Sequence, residues 1–472
     1  MEDVRAGICV IGAGSGGLSV AAGAAQMGAR VVLLEGHRMG GDCLNYGCVP
    51  SKALLAAAKA AEAHRRGAGF GITPHEPQID YAGAMEHVAR AIATIAPHDS
   101  VARFEGLGVR VIGEYGRFES PGAVIAGNHR ITARRFVIAT GSSPLVPPIP
   151  GLEGVPYLTN ETLFGLRRRP EHLLIIGGGP VGLEMAQAHR RLGGKVTVIE
   201  GARALGREDV EAAALVLAQL RGEGVEVLEG AEVVRVAAEG DGLRVTLADG
   251  RGLAGTHLLI AAGRKPNLAG LNLDAAGIAH TAAGVTVNDA LRASNRRVYA
   301  IGDVAGRGQF THLAGYHAGV VIRAMLFGLP ARARADHIPR VTYTDPELAQ
   351  IGLTEAEARE RHGKALQVIR LGLDGNDRAV TEGAGAGFIK LTVHKGRAVG
   401  VTLVGPGAGE QVGIWALMLA NRSRLSALAG TVLPYPTLNE MSKRAASAYF
   451  SPRLFDNPVV KRVVGLVQRL VP

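Results

Sequence analysis

Ile8-Cys9-Val10-Ile11-Gly12-Ala13-Gly14-Ser15-Gly16-Gly17 is the stretch that decides the fold of this chain. A short apolar strand runs into Gly12-x-Gly14-x-x-Gly17, and the alanine-rich segment behind it reads as a helix. Gly12 permits the tight turn, Gly14 lets a pyrophosphate approach the backbone, and Gly17 lets helix and strand pack closely. The helix N-terminus offers unsatisfied N–H groups to phosphate. Arg30-Val31-Val32-Leu33-Leu34 is the next strand and ends at Glu35, where a carboxylate is placed to bind ribose hydroxyls. The unit predicts a dinucleotide site.

The same unit occurs twice. Leu173-Leu174-Ile175-Ile176 precedes Gly177-x-Gly179-x-x-Gly182, and strand Lys195-Val196-Thr197-Val198-Ile199 ends at Glu200. One glycine fingerprint is a weak signal, since a purely structural βαβ turn uses glycine too. Two copies, each closed by a carboxylate, predict two nucleotides, and FAD plus a nicotinamide dinucleotide is the common pairing. Glu200 suits the ribose diol of NAD and repels a 2′-phosphate, so NADH is favoured; Arg203 and Arg207 follow closely enough to admit NADPH.

Between the two units lies Gly40-Gly41-Asp42-Cys43-Leu44-Asn45-Tyr46-Gly47-Cys48-Val49-Pro50-Ser51-Lys52. The chain has three cysteines, and the third, Cys9, sits in an apolar run and reads as core. Cys43 and Cys48 suit a small, easily reduced disulfide, because a short loop contributes little closure entropy. A helix is expected from Ser51 to His64; its dipole and the Lys52 cation would both favour a thiolate. The plainer reading is a pair of inert buried cysteines in a glycine-rich turn.

The chain has 472 residues, room for about three domains. Its 47% apolar and 20% charged composition is that of globular protein and excludes disorder. The formal charge of +10 comes from dispersed arginines with few aromatics, which reads as a solvated basic surface attractive to anionic nucleotides and not as a nucleic-acid interface. Few cysteines, no signal peptide and no apolar run of roughly 18 residues point to a cytoplasmic protein. No metal site is expected.

These motifs, from about Gly7 to Phe450, resemble the class I flavoprotein disulfide reductases, the family of dihydrolipoyl dehydrogenase, glutathione reductase and mercuric reductase. The resemblance implies an α/β fold with two Rossmann-like dinucleotide-binding domains, for FAD and NAD(P), and a C-terminal α+β dimerisation domain. The FAD domain would be discontinuous, 1–150 and 265–337. The NAD(P) domain would span 151–264, the dimerisation domain 338–450 and a basic amphipathic tail 451–472. Pro147-Pro148-Ile149-Pro150-Gly151 is the stiff connector between the first two.

Cys43 would be the interchange thiol and Cys48 the charge-transfer thiol beside the flavin, with Lys52 and Glu184 tuning it. Besides Gly12, Gly14, Gly17, Glu35 and Lys52, the FAD residues would be Gly116, the turn Thr140-Gly141-Ser142, Asp303 at a strand end, and His312-Leu313-Ala314 at a helix start. Gly177, Gly179, Gly182, Glu200 and Gly263 would hold NAD, and Gly263-Arg264-Lys265-Pro266-Asn267 resembles the family's exit from that domain. His312 and His317 read by themselves as ordinary helix residues. The implied protein is a homodimer. It would pass electrons from NAD(P)H through FAD to the Cys43–Cys48 disulfide and on to a disulfide or thiol-bound substrate, in the manner of dihydrolipoyl dehydrogenase.

One departure bears on substrate. Where disulfide-exchanging members carry His-Pro-Thr-x-x-Glu, this chain has Tyr435-Pro436-Thr437-Leu438-Asn439-Glu440. Imidazole titrates near pH 6.5 and phenol near 10, so Tyr435 is a poor base and Glu440 has no histidine to orient. A tyrosine here resembles mercuric reductase, whose C-terminal cysteine pair this chain lacks. The residues are also compatible with a flavin-direct quinone or diaphorase enzyme, or with a redox-sensing flavoprotein. The tail from Pro458 to Val471 is expected to form a short basic amphipathic helix. It would pack on a neighbour, the simpler outcome, or make weak contact with a membrane surface.

Overall fold

The N-terminal apolar run extends into a long strand, Glu2–Ile11, at the centre of a seven-stranded sheet. From Ile8 to Ile11 its residues are apolar on both faces because both are covered there, whereas Glu2, Asp3 and Arg5 at its start are exposed. Cys9 and Ile11 pack with Phe118 and Phe136, while Ile8 and Val10 pack with Leu33 and Phe104. Cys9 is fully buried core.

Strands Arg110–Ile112, Val31–Leu34, Glu2–Ile11 and His129–Ile138 lie side by side in parallel. His129–Ile138 serves two neighbours. Its first half pairs antiparallel with Ala123–Ala126, and its last residues pair in parallel with Val298–Ala300, which returns from much later in the chain. That return makes the first nucleotide unit discontinuous in sequence. A four-stranded parallel sheet follows the order Glu226–Leu228, Lys195–Ile199, His172–Ile176, His257–Ile260. A three-stranded antiparallel sheet, Val233–Glu239, Gly242–Leu247 and Gly252–Gly255, accompanies it.

The computed structural model describes residues 1–471 and resolves two compact units. Met1–Arg203 with Gly224–Arg334 forms the first; Ala204–Glu223 with the residues from Ala335 onward forms the second. Segment 204–223, expected from sequence to belong to the nicotinamide portion, thus joins the C-terminal unit. The physical reason is an ion cluster: Lys390 Nζ lies 3.0 Å from Asp209 Oδ1, 3.0 Å from Glu211 Oε2 and 3.1 Å from Glu355 Oε2. The second unit is built on a five-stranded antiparallel sheet with Arg397–Gly405 and Phe388–His394 as its central hairpin. Trp415 fills its core and donates Nε1–H to Ser442 Oγ at 3.0 Å.

Candidate active site

The two glycine fingerprints have the same construction. Gly12 has φ 103°, and a Cβ there would stand 2.5 Å from the Ala139 carbonyl oxygen; one at Gly17 would stand 1.9 Å from the Gly12 carbonyl oxygen. Gly177 and Gly182 repeat this, at 2.4 Å from Ala261 O and 2.0 Å from Gly177 O. Any side chain would prise strand from helix. Gly179 has nothing within 4 Å of such a Cβ, which leaves its backbone open to a ligand.

Each carboxylate clamps its own turn. Glu35 accepts the Ala13 N–H at 2.7 Å and the His37 N–H at 2.9 Å; Glu200 accepts those of Gly178 at 2.8 Å and Ala202 at 2.9 Å. Both therefore sit at the C-terminal strand ends beside a helix N-terminus, the position at which such sheets bind dinucleotides.

The cysteine helix runs Cys48–Arg65 and so begins at Cys48 itself, earlier than the expected Ser51. Pro50 does not block this start, because the first helical N–H groups have no intrahelical partner to lose. Cys48 is thereby placed at a helix terminus. Its Sγ lies 3.4 Å from the hydroxyl of Thr311, the first residue of helix Thr311–Phe327.

The Cys43 thiol donates to Cys48, the chief reason that the Cys48 pKa falls to about 6. Burial opposes the fall, while the Thr311 hydroxyl and the Lys52 cation reinforce it. The same hydrogen bond, with burial, pushes the Cys43 thiol well above the usual thiol range. The pair is thus poised with a thiolate on Cys48 and the proton on Cys43.

Lys52 Nζ meets Glu184 Oε2 at 2.7 Å, and the carboxylate is only 5% exposed. Glu184 lies on the second fingerprint helix, Pro180–Arg191, so this ion pair ties the cysteine helix to the second nucleotide unit.

Thr140-Gly141-Ser142 and Arg264 to Asn267 form one knot. Asn267 donates Nδ2–H to Thr140 O at 2.9 Å and its N–H to Gly141 O at 3.0 Å. Arg264 Nε donates to Ser142 Oγ at 2.8 Å, and Ser142 Oγ donates to Asp303 Oδ2 at 2.5 Å. Burial raises the Asp303 pKa despite that hydrogen bond. Gly263 adjoins the knot. Gly116 opens strand Gly116–Ser120, where a Cβ would meet Leu34 Cδ1 at 2.6 Å. His312 stacks on Phe310, and Leu313 and Ala314 are buried in the first turn of their helix. His317 is buried, and its Nδ1 accepts the Gly302 N–H at 3.2 Å.

A cavity of about 410 Å³ is lined by Ser15, Leu18, Gly40, Cys43, Asp99 and Thr311. It reaches from the first fingerprint helix to Cys43, and burial raises the Asp99 carboxyl pKa. A flavin dinucleotide fits the first fingerprint turn with this cavity: helix-terminal N–H donors, the Glu35 carboxylate anchored beside them, and a concave path ending at the Cys43 thiol.

Tyr435 and Glu440 belong to the second unit. The Tyr435 hydroxyl donates to Asp377 Oδ2 at 2.7 Å, which raises the phenol pKa. Asn376 Nδ2 holds the Thr437 carbonyl at 3.1 Å, and Glu440 accepts the Thr437 N–H at 3.4 Å. Sequence reasoning places Thr311 at the start of its helix but gives it no contact with Cys48, and it does not single out Asp377. A threonine at the first helical position is the one available signal for that contact; Asp377 is set by tertiary placement.

Residues 6–318 match the family described as pyridine nucleotide-disulphide oxidoreductase, and residues 338–446 match that family's dimerisation domain, which supports a homodimer. Mercuric reductase of Acidithiobacillus ferrooxidans is 36% identical over 94% of this chain and 82% of its own length. Dihydrolipoyl dehydrogenase of Thermus scotoductus is 35% identical over 93% and 96%. Among solved structures, LpdA from Mycobacterium tuberculosis superposes with a TM-score of 0.86 at 27% identity, covering 94% of this chain and 99% of that one. The Cu(II) complex of the HOCl-induced flavoprotein disulfide reductase RclA from Escherichia coli gives 0.84 at 28%, covering 93% and 99%. No helix among the described residues is long and apolar enough to cross a membrane. This chain belongs to the pyridine nucleotide-disulphide oxidoreductases, FAD-dependent enzymes that use NAD(P)H and a redox-active cysteine pair.

Proposed function

We propose that this enzyme draws electrons from NADH and delivers them through the Cys43–Cys48 pair to a disulfide or thiol-bound acceptor. The observation that carries the reading is the placement of the pair: Cys48 opens its helix with Sγ 3.4 Å from the Thr311 hydroxyl, and Cys43, Thr311 and Lys52 together draw its thiol pKa down to about 6. FAD, when bound, supplies the two-electron relay between nicotinamide and cysteines. Glu35 and the Gly12–Gly17 turn would hold its adenosine and pyrophosphate end, Asp303 with Ser142 the ribityl end, and Lys52 with Glu184 would set the charge beside its ring. Glu200 favours NADH, since a 2′-phosphate would meet its carboxylate.

Cys43 would attack the acceptor and must lose its proton to do so. Tyr435 is unsuited to take it, because Asp377 raises the phenol pKa further. The thiolate that the acceptor releases on attack would take that proton, and the Cys48 thiolate would then attack the mixed disulfide at Cys43 and free the second thiol. Once the acceptor is reduced, Cys43 and Cys48 return to the disulfide, two electrons poorer.

A second reading, reduction of a soft metal ion such as mercuric ion, is favoured by the tyrosine at position 435, since thiolates bind soft ions without an imidazole base. The test is NAD reduction by dihydrolipoamide and NADH oxidation by mercuric ion, each with the Cys43→Ser variant. Fast Cys43-dependent turnover with dihydrolipoamide supports the first reading; turnover with mercuric ion alone supports the second. Diaphorase activity unchanged in Cys43→Ser, with neither substrate turned over, would sink both.

A further inference from the structure

Helix Pro458–Leu470 lies beyond the residues that match the dimerisation domain, and none of its residues is buried. Its start is locally encoded: Asn457 caps it by accepting the Val459 N–H at 2.9 Å, and Pro458 occupies the first turn. At 3.6 residues per turn, Val459, Val463, Leu466, Val467 and Leu470 fall on one face, and Lys461, Arg462 and Arg469 on the other. The apolar residues are 48% to 72% exposed, and Phe455, just before the helix, is 68% exposed. The only carboxylate from Ser451 to Val471 is Asp456.

We infer that this helix docks on an anionic lipid surface, with the valine–leucine face in the acyl boundary and the three cations at the headgroups. An interfacial helix needs this segregation of apolar and basic faces. Charge selects the occupant. From Ser451 to Val471 the chain carries Arg453, Lys461, Arg462 and Arg469 against Asp456 alone, so burying this helix against the same segment of a second copy sets like charges together, whereas an anionic bilayer attracts them. A single helix of this size binds weakly, and the homodimer supplies two, which converts the second contact into an intramolecular one. The enzyme would then work at the membrane–water boundary, its cysteine pair near acceptors that concentrate there.

The test is co-sedimentation of the full-length FAD-loaded dimer with vesicles of phosphatidylcholine alone or mixed with phosphatidylglycerol. Binding at least tenfold stronger to the anionic vesicles, and weakening as salt rises, is expected. Lys461→Glu, Arg462→Glu and Arg469→Glu together should cost roughly a hundredfold or more in binding. Val463→Asp with Leu466→Asp should abolish it while NADH-dependent dye reduction and dimer mass stay unchanged. Three results would overturn the inference: no sedimentation of active enzyme with anionic vesicles; equal binding to both vesicle types; or a change of oligomeric mass in the Val463→Asp/Leu466→Asp variant, which would mean that a second copy covers this face.

Discussion

Cys48 Sγ lies 3.4 Å from Thr311 Oγ1, and both residues open their helices, so two helix N-termini converge on one sulfur. Each brings partial positive charge, and the hydroxyl brings a hydrogen bond. Replacing Thr311 with Val keeps the shape and removes the bond. The Cys48 pKa should then rise from about 6, as read by alkylation rate against pH in the reduced enzyme. An unchanged pH profile would show that Cys43 alone holds the thiolate.

Lys52→Met removes the ammonium beside a carboxylate that is 5% exposed. Because Lys52 is 36% exposed and water screens the pair, the loss should cost about 1–2 kcal/mol, less than for a fully buried pair, and the double variant Lys52→Met/Glu184→Gln should cost less than the single one. Thermal unfolding of the four proteins measures the coupling. The flavin spectrum of Lys52→Met should shift as well if the pair faces the ring.

His317 accepts the Gly302 N–H through Nδ1, next to Asp303. Burial holds the imidazole pKa near 4, so it is neutral at physiological pH and able to accept. Since the folded pKa lies below the unfolded one, this contribution to stability is complete above about pH 6.5 and is lost as pH falls toward 4. His317→Leu should weaken FAD retention roughly tenfold, and His317→Asn, whose side-chain oxygen replaces Nδ1, should restore most of it. Equal affinity for FAD in both variants would mean that the turn needs no such support.

Lys390 stands among Asp209, Glu211 and Glu355. Burial alone would lower its pKa, but these carboxylates raise it, and Lys390 in turn holds those of Glu211 and Glu355 down. The raised lysine stabilises fully below about pH 10.5 and less as pH climbs through its folded value. The lowered carboxylates stabilise fully above about pH 4.5 and less in acid. Lys390→Met should lower Tm by several degrees at pH 7, with the deficit shrinking toward acid as the carboxylates protonate. A Tm within one degree of wild type would show that the cluster is dispensable.

Tyr435→His restores the His-Pro-Thr-x-x-Glu pattern from which this chain departs. If Cys43 lacks only a proton acceptor, dihydrolipoamide turnover should rise roughly tenfold or more near pH 8. No gain, with the fold and flavin intact, would move the search to another acceptor.

The nucleotide-binding half is largely legible in the sequence because its signals are local. Glycine spacing fixes the turns, and the strands that precede them are apolar enough to be read without partners. Strand Lys195–Ile199 follows its apolar run to the residue. The cysteine helix starts earlier than its sequence suggests because Pro50 looks like a boundary, although in a first turn it is harmless. The placement of 204–223 is illegible for a different reason: Asp209 and Lys390 are distant in sequence, and nothing local announces their pairing. Tyr435 stands out as a departure, but its partner Asp377 lies on a separate helix with no motif.

The twin clamps of Glu35 and Glu200 give the molecule a built-in control. Each carboxylate closes its turn through the same pair of backbone bonds, so the two changes to Gln remove equal scaffolding from equal architecture. Whatever the two variants lose in common is the cost of the fold. Whatever they lose differently belongs to the ligand each half was shaped to receive.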